Sequence, residues 1–312
     1  MNEAQVKKNI LRTLLYYDIF SHPLKPEEIF IFLPKNTVPK SDVLGMIEIF
    51  SSQKECAFTQ KNGFIYVKPN EHYISRRISK ENYSRKMWRA ARVMTHIIKR
   101  FPFVRAVFIS GSLSKNSSEK ISDIDYMVVT SRGRLWIART LLILFKKIFL
   151  LNSYKFFCLN YFVTEDNLEI PFKNVFTATE VAYIKSTFNT DMMHNFVMAN
   201  KWIKDYFPNY KFLDPYLHSA GFKVNNRRSI IQRMLELLFS GKWGDKLDNK
   251  LLEKTSRHWR KKYSSLDEND RKLLFRTERN VSTTHPGDMQ RTILNKYNEK
   301  LRQFNLEYKG NE

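Results

Sequence analysis

The sequence predicts a fold of the α+β class: a central sheet with helices, flanked by a helical N-terminal unit and a helical C-terminal region. Three observations predict it. Apolar residues recur at helical spacing through residues 4–20. Between residues 104 and 163, strand patterns alternate with helical ones, an order found in α/β and α+β proteins. From Thr177 onward the chain again reads as mostly helical.

The N-terminal unit covers residues 1–70. Val6, Ile10, Leu14, Tyr17 and Phe20 can share one helical face, and Ser21-His22-Pro23 stops that helix. Pro26-Glu27-Glu28 opens a second helix, with its acids at the positive end of the dipole. Pro39-Lys40-Ser41-Asp42 opens a third, which carries Val43, Met46, Ile47 and Phe50 inward. Residues 57–60 and 64–67 alternate like strands around Lys61-Asn62-Gly63, and Asn-Gly in that setting signals a hairpin.

Residues 71–100 read as a connecting basic helix with Met87, Ala91, Met94 and Ile98 at helical spacing. Its cations, among them Arg76, Arg77, Lys80, Arg85 and Arg89, form either a solvated face or a stripe that follows phosphates. The next unit spans residues 101–175. It holds a strand at 104–109, a glycine motif, a strand at 123–129, a helix from about Arg134 to Leu151 and a strand at 155–163. The last region, 176–312, opens on Thr177-Ala178-Thr179-Glu180, which fits a capping box. Basic and aromatic residues gather there, including Lys223, Arg227, Arg228, Arg233, Lys254 and Lys262 with Trp243 and Trp259. His285-Pro286-Gly287-Asp288 reads as a turn.

Composition narrows the class. A hydrophobic fraction of 43% supports an ordinary core, and 14% aromatic residues argue against disorder. Lys plus Arg is 53 against 31 for Asp plus Glu, a net charge of +22. That surface attracts polyanions, unless it reflects a generally lysine-rich proteome. Cys56 and Cys158 are far apart and lack the spacing of a disulfide framework or zinc site. Residues 1–8 are polar, without the apolar core of a signal peptide. The longest apolar stretch, 135–151, is interrupted by Arg139, Lys146 and Lys147, as in a buried amphipathic helix rather than a membrane span. The expectation is a soluble cytoplasmic protein with no stable membrane insertion.

Phe108-Ile109-Ser110-Gly111-Ser112 precedes Asp123-Ile124-Asp125-Tyr126-Met127 by ten residues. In a strand, residues i and i+2 face the same way, so Asp123 and Asp125 project together while Ile124 and Tyr126 turn away. Two hard carboxylates so placed suit Mg²⁺ or Mn²⁺. Gly111 lets backbone approach a phosphate closely, and Ser112 opens a short helix whose free N–H groups suit an anion. Taken singly, Asp-x-Asp can be a solvated loop entry and Gly-Ser an ordinary turn. Gly241-Lys242 lacks the rest of a P-loop, and there is no HExxH.

Together these segments resemble the DNA polymerase β-like nucleotidyltransferase superfamily. The resemblance covers residues 104–163 and implies a mixed sheet. Asp123 and Asp125 would be catalytic metal ligands, and Gly111 and Ser112 nucleotide-binding residues. The reaction would move a nucleoside monophosphate from a nucleoside triphosphate to a hydroxyl of RNA, DNA, a protein or a small molecule, releasing pyrophosphate. The family's third carboxylate has no obvious counterpart. Asn160 lies nearest its place, and Glu165, Asp166 and Glu169 follow, read as a hairpin turn. By element order the first 70 residues resemble a winged helix-turn-helix domain. Its third helix bears Asp42 and Glu48 and no arginine, which suits packing or substrate docking better than reading DNA. The C-terminal helices would close the cleft. The alternative is a nucleic-acid-binding protein whose transferase domain is catalytically degenerate.

Overall fold

Asn2 starts the first helix, α1 (Glu3–Asp18), by accepting a hydrogen bond from the Gln5 amide. The computed structural model describes residues 2–211, 214, 218–222, 229–284 and 288–307. Helices α2 (Pro26–Ile31) and α3 (Lys40–Ser52) pack on α1 through Val6, Ile10, Leu14, Val43, Ile47 and Phe50. Strands β1 (Phe58–Lys61) and β2 (Phe64–Val67) then pair antiparallel. Asn62 and Gly63 between them both have positive φ, +52° and +76°, the backbone that an Asn-Gly turn supplies most readily.

Helix α4 (Tyr73–Ile98) carries the basic run. Arg85, Lys86, Arg89 and Arg92 are exposed, as on a solvated face, but the cations of its first turns are paired. Arg77 is buried and pairs with Glu28 at 2.7 Å and Glu81 at 2.9 Å. Arg76 and Lys80 both meet Glu119, at 2.8 and 3.0 Å. These cations tie α4 to α2 and to the loop that leads into the site.

The centre is built from β3 (Val104–Ile109), α5 (Gly111–Ser114), β4 (Asp125–Thr130), α6 (Leu135–Phe149), β5 (Cys158–Thr164) and α7 (Val175–Tyr183). After it come β6 (Lys185–Phe188), α8 (Thr190–Ala199), α9 (Ile230–Leu238), α10 (Gly241–Lys262), α11 (Glu268–Leu274), β7 (Thr277–Glu278), β8 (Val281–Thr283) and α12 (Met289–Gln303). The strands form one sheet in the order β6-β3-β4-β5-β8-β7. The β4/β5 pair is parallel and the others antiparallel. The fold is therefore α+β with a mixed six-stranded sheet.

Alternation along the strands assigns the two faces. Val107, Ile109, Tyr126 and Val128 pack with Met87, Ala91, Trp136 and Leu142 of α4 and α6. Ala106, Phe108, Met127 and Val129 belong to a second core with Ala178, Val181, Phe196 and the N-terminal helices.

The region from residue 176 on is not purely helical, because β6, β7 and β8 complete the sheet. With four, two and three residues, they are too short for a period-two pattern to register. Thr177 does not cap α7 either: Asn174 does, accepting from the Thr177 amide at 2.9 Å. Lys223, Arg227, Arg228 and His285-Pro286-Gly287 lie outside the described residues. Among the described residues no helix is long and apolar enough to cross a membrane.

The N-terminal unit is docked on the rest of the chain. Phe32 stacks on Tyr183 with ring centroids 5.0 Å apart. Arg12 Nε donates to the Leu306 carbonyl at 3.0 Å, and Lys300 meets Asp18 at 2.6 Å.

Candidate active site

Strand β3 ends at Ile109, and the chain must turn at once for α5 to start. Gly111 makes that turn at φ +64°, where a side chain is strained. Space excludes one as well: a Cβ on Gly111 would lie 2.1 Å from Asp125 Oδ2. The glycine and the carboxylate are thus packed on each other.

Asp125 is the first residue of β4, and Asp123 lies just before the strand rather than in it. The segment is nevertheless held extended, since the Ile124 amide donates to Lys155 O at 2.9 Å and Ile124 O accepts from Cys158 N at 3.1 Å. Ile124 is fully buried on one side, which leaves both acids on the other. Single ligand atoms of Asp123, Asp125 and Cys158 lie within 4.8 Å of one another, and the cluster can hold a metal ion.

Asn160 joins this group through a bulge. Tyr126 pairs with Leu159 and Met127 with Tyr161, so Asn160 is the extra residue of β5; such bulges re-aim a side chain. Its Nδ2 donates to Asp125 Oδ1 at 2.7 Å. Its Oδ1 is buried without a hydrogen-bond partner among the described residues. Glu165, Asp166 and Glu169 do not reach the acids. They follow the far end of β5, where Asp166 pairs with Arg132 at 3.2 Å and Glu169 with Lys173 at 2.8 Å.

No protein-family model, curated protein or solved structure matches this chain. Gly111, Ser112, Asp123, Asp125 and Asn160 all line one cavity of about 1340 Å³. Helix α10 adds Leu251, Lys254 and Trp259 to its wall, and the N-terminal unit adds Tyr16, Tyr17 and His22. Burial, with the Arg77 charge behind it, lowers the His22 pKa to about 3, so this imidazole is neutral.

Four lining residues were not singled out by the motif. Glu180 of α7 faces the cavity, bound by Lys115 Nζ at 2.7 and 2.8 Å. Arg139 and Lys146 of α6 are buried cations in the same wall. Arg139 has no hydrogen bond or ion pair among the described residues, only the Trp136 ring 5.5 Å from its guanidinium carbon. The sequence signal for these two cations is their interruption of an apolar run, which by itself argues only against a membrane span. Nothing local marks Lys115, and Glu180 stands out only in the capping pattern of Thr177–Glu180, not as a site residue.

Burial raises the Asp125 pKa to about 7, with further upward pushes from Asp123 and Glu180; hydrogen bonds from Cys158 and Asn160 oppose them. Burial and the neighbouring carboxylates push the Cys158 thiol far up, so it stays protonated. Burial lowers Arg139 to about 10, and it remains charged at neutral pH.

The Asp125 shift has a testable sign. The folded chain holds this proton more tightly than the unfolded chain, whose ordinary carboxylate titrates near ~3.9. The stability it contributes is complete below about pH 4 and is lost as pH rises through about 7. The metal-free melting temperature of wild type should therefore fall, relative to that of Asp125→Asn, across this window. Parallel melting curves for the two proteins would show that Asp125 titrates normally.

Proposed function

We propose that the chain is a cytoplasmic nucleotidyltransferase that moves a nucleoside monophosphate from a nucleoside triphosphate to a hydroxyl of an RNA, DNA, protein or small-molecule acceptor. The observation that carries this reading is the Asp123–Asp125–Asn160 group, with Asp125 packed on Gly111, in one cavity with Arg139, a cation without an ion pair among the described residues. The donors fit Mg²⁺ or Mn²⁺: two carboxylates are hard ligands, the Asn160 amide oxygen next to them has no hydrogen-bond partner among the described residues, and Cys158 keeps its proton. When bound, the ion supplies counter-charge for phosphate oxygens and acidifies an attacking hydroxyl.

The protein's own groups divide the remaining work. Asp123 and Asp125 hold the ion, and Asn160 Nδ2 fixes the orientation of Asp125. Gly111 makes room for the Asp125 carboxylate rather than for a phosphate, and the Ser112 hydroxyl stands in the same cavity wall. Arg139 and Lys146 neutralise phosphate charge in a site where burial strengthens their field. The cavity exceeds the ~300–1,000 Å³ of common small-ligand pockets, which leaves room for a second substrate.

The direct test incubates the protein with each labelled nucleoside triphosphate, Mg²⁺ or Mn²⁺, and cell extract, and follows the label. Transfer to any acceptor with pyrophosphate release supports the proposal; none under all combinations sinks it. Arg139→Met is expected to weaken triphosphate binding by about 10–100-fold, with the fold retained because an unpaired buried cation is replaced by an apolar chain of similar length. Titration calorimetry and a melt on the same sample check both halves. Asn160→Asp is expected to tighten Mg²⁺ binding and to lower metal-free stability at neutral pH, since it adds a third carboxylate beside Asp125. Unchanged Mg²⁺ affinity would exclude this side chain from the ion's surroundings.

One observation favours a second reading. Asn160 is a poor base, and with a net charge of +22 the chain would suit a nucleic-acid-binding protein with a silent site. Salt-sensitive binding to random oligonucleotides, with no pyrophosphate release, would select it.

A further inference from the structure

Helix α9 presents its two faces the wrong way round for a surface helix. Two of its polar residues, Gln232 and Glu236, point at the protein. Gln232 Nε2 donates to Lys99 O at 3.2 Å and Phe101 O at 2.9 Å. Glu236 Oε1 accepts from the Phe103 amide at 2.8 Å and pairs with Arg105 at 2.7 Å. Its apolar residues point at solvent: Ile230, Ile231, Met234, Leu237 and Leu238 are between 63% and 76% exposed. They fall within about a third of the helix circumference at 3.6 residues per turn. Trp243 of α10, stacked on Phe239 with centroids 5.5 Å apart, extends the same surface.

The helix is firmly placed. Arg134 Nε donates to the Phe239 carbonyl at 2.9 Å. A Cβ on Gly244 would lie 1.9 Å from that carbonyl oxygen, so α10 meets the end of α9 in close backbone contact.

An exposed apolar face alone does not name its partner; the charge beside it does. Where α9 ends, a pocket of about 360 Å³ is lined by Arg105, Arg132, Arg134 and Arg279, with Asp245 and Ser240. Glu236 and Asp245 neutralise Arg105 and Arg134. The Arg132 side chain is 82% exposed and meets Asp166 at 3.2 Å, while Arg279 has no ion pair among the described residues. Arg233 on α9 and Lys242 and Lys246 on the first turns of α10 are also exposed.

We propose that this face docks on an anionic phospholipid surface, with α9 lying in the plane of the membrane. Its aliphatic side chains enter the boundary of the acyl chains, and Arg132 and Arg279 meet headgroup phosphates. Amphipathic helices with flanking cations bind membranes in this way. A nucleic acid offers phosphates but no apolar phase for five aliphatic side chains. A second copy offers the apolar phase but carries the same +22 charge, and like charges repel. A lipid surface supplies both partners. The proposal is independent of the transferase reading: α9 is bonded to the start of β3, while Gly111 and Asp125 lie at its other end. The reaction cavity would therefore stay open to water.

The test is flotation of the full chain with phosphatidylcholine vesicles, with and without phosphatidylglycerol. The protein should float only with phosphatidylglycerol present, and less at high salt. Met234→Glu with Leu237→Glu should weaken flotation at least about tenfold and leave the melting temperature and Mg²⁺–nucleotide binding unchanged. Arg132→Ala and Arg279→Ala should each weaken it roughly fivefold. Failure to float on phosphatidylglycerol vesicles overturns the proposal, as does flotation indifferent to the Met234/Leu237 change. A soluble dimer that the same change converts to monomer, without vesicle binding, overturns it in favour of a second copy.

Discussion

Asp123→Asn combined with Asp125→Asn is expected to abolish Mg²⁺-dependent binding of nucleoside triphosphate and any transfer, by at least about a hundredfold. The metal-free protein should become no less stable, and at neutral pH more so. Asp125 is buried beside Asp123 and Glu180, and its pKa of about 7 records what ionising it there costs. An amide removes that charge, and its oxygen can still accept the bond from Asn160 Nδ2. Each kcal/mol recovered should raise the melting temperature by about 2–4 °C. Melts of wild type and double mutant, with and without Mg²⁺–nucleotide, separate this from a structural role. A wild-type melt that Mg²⁺–nucleotide does not move, together with a destabilised mutant, would refute the active-site assignment.

Gly111→Ala is the second large effect. The substituted residue would have to hold φ near +64° and place a methyl group where Asp125 Oδ2 now lies, 2.1 Å away. Left-handed backbone costs a non-glycine residue ~1–3 kcal/mol, and overpacking adds ~1–3 kcal/mol more. Gly63→Ala is the matched control: it shares the positive φ, +76°, and has nothing within 4 Å of its missing Cβ. Urea titrations should find Gly111→Ala the more destabilised of the two by ~1–3 kcal/mol. Alternatively, Asp125 swings aside and Mg²⁺ binding is lost at a stability close to that of the control. Equal stability with intact Mg²⁺ binding would mean that Gly111 and Asp125 do not pack together.

The elements that set the acids side by side are legible because they are local. An apolar run broken only by Arg105 marks residues 104–109, and the spacing of Asp123 and Asp125 follows from strand geometry even though β4 starts only at Asp125. Asn160 can be located to a strand, but not the bulge that turns it toward Asp125, since a bulge depends on the register with a partner strand. Glu180 and Lys115 meet across 65 positions of chain, and no local periodicity encodes such a contact. The strands β6, β7 and β8 are illegible for a related reason: each is defined by the edge it joins.

Strand β5 has neighbours made at very different times. One edge pairs with β4, which leaves the ribosome shortly before it, while the other waits for Val281–Thr283. The Asn160 carbonyl is likewise bonded by the amide of Thr284, at 2.9 Å. During synthesis β3 and β4 meet early, whereas α1 also waits for Lys300 and Leu306 near and beyond the end of α12. The strand that carries Asn160 stays an open edge until residues 281–283 have emerged. An open edge is a template for pairing with other chains, so a translational pause before residue 281 would expose Tyr161, Phe162 and Val163 as an aggregation-prone edge.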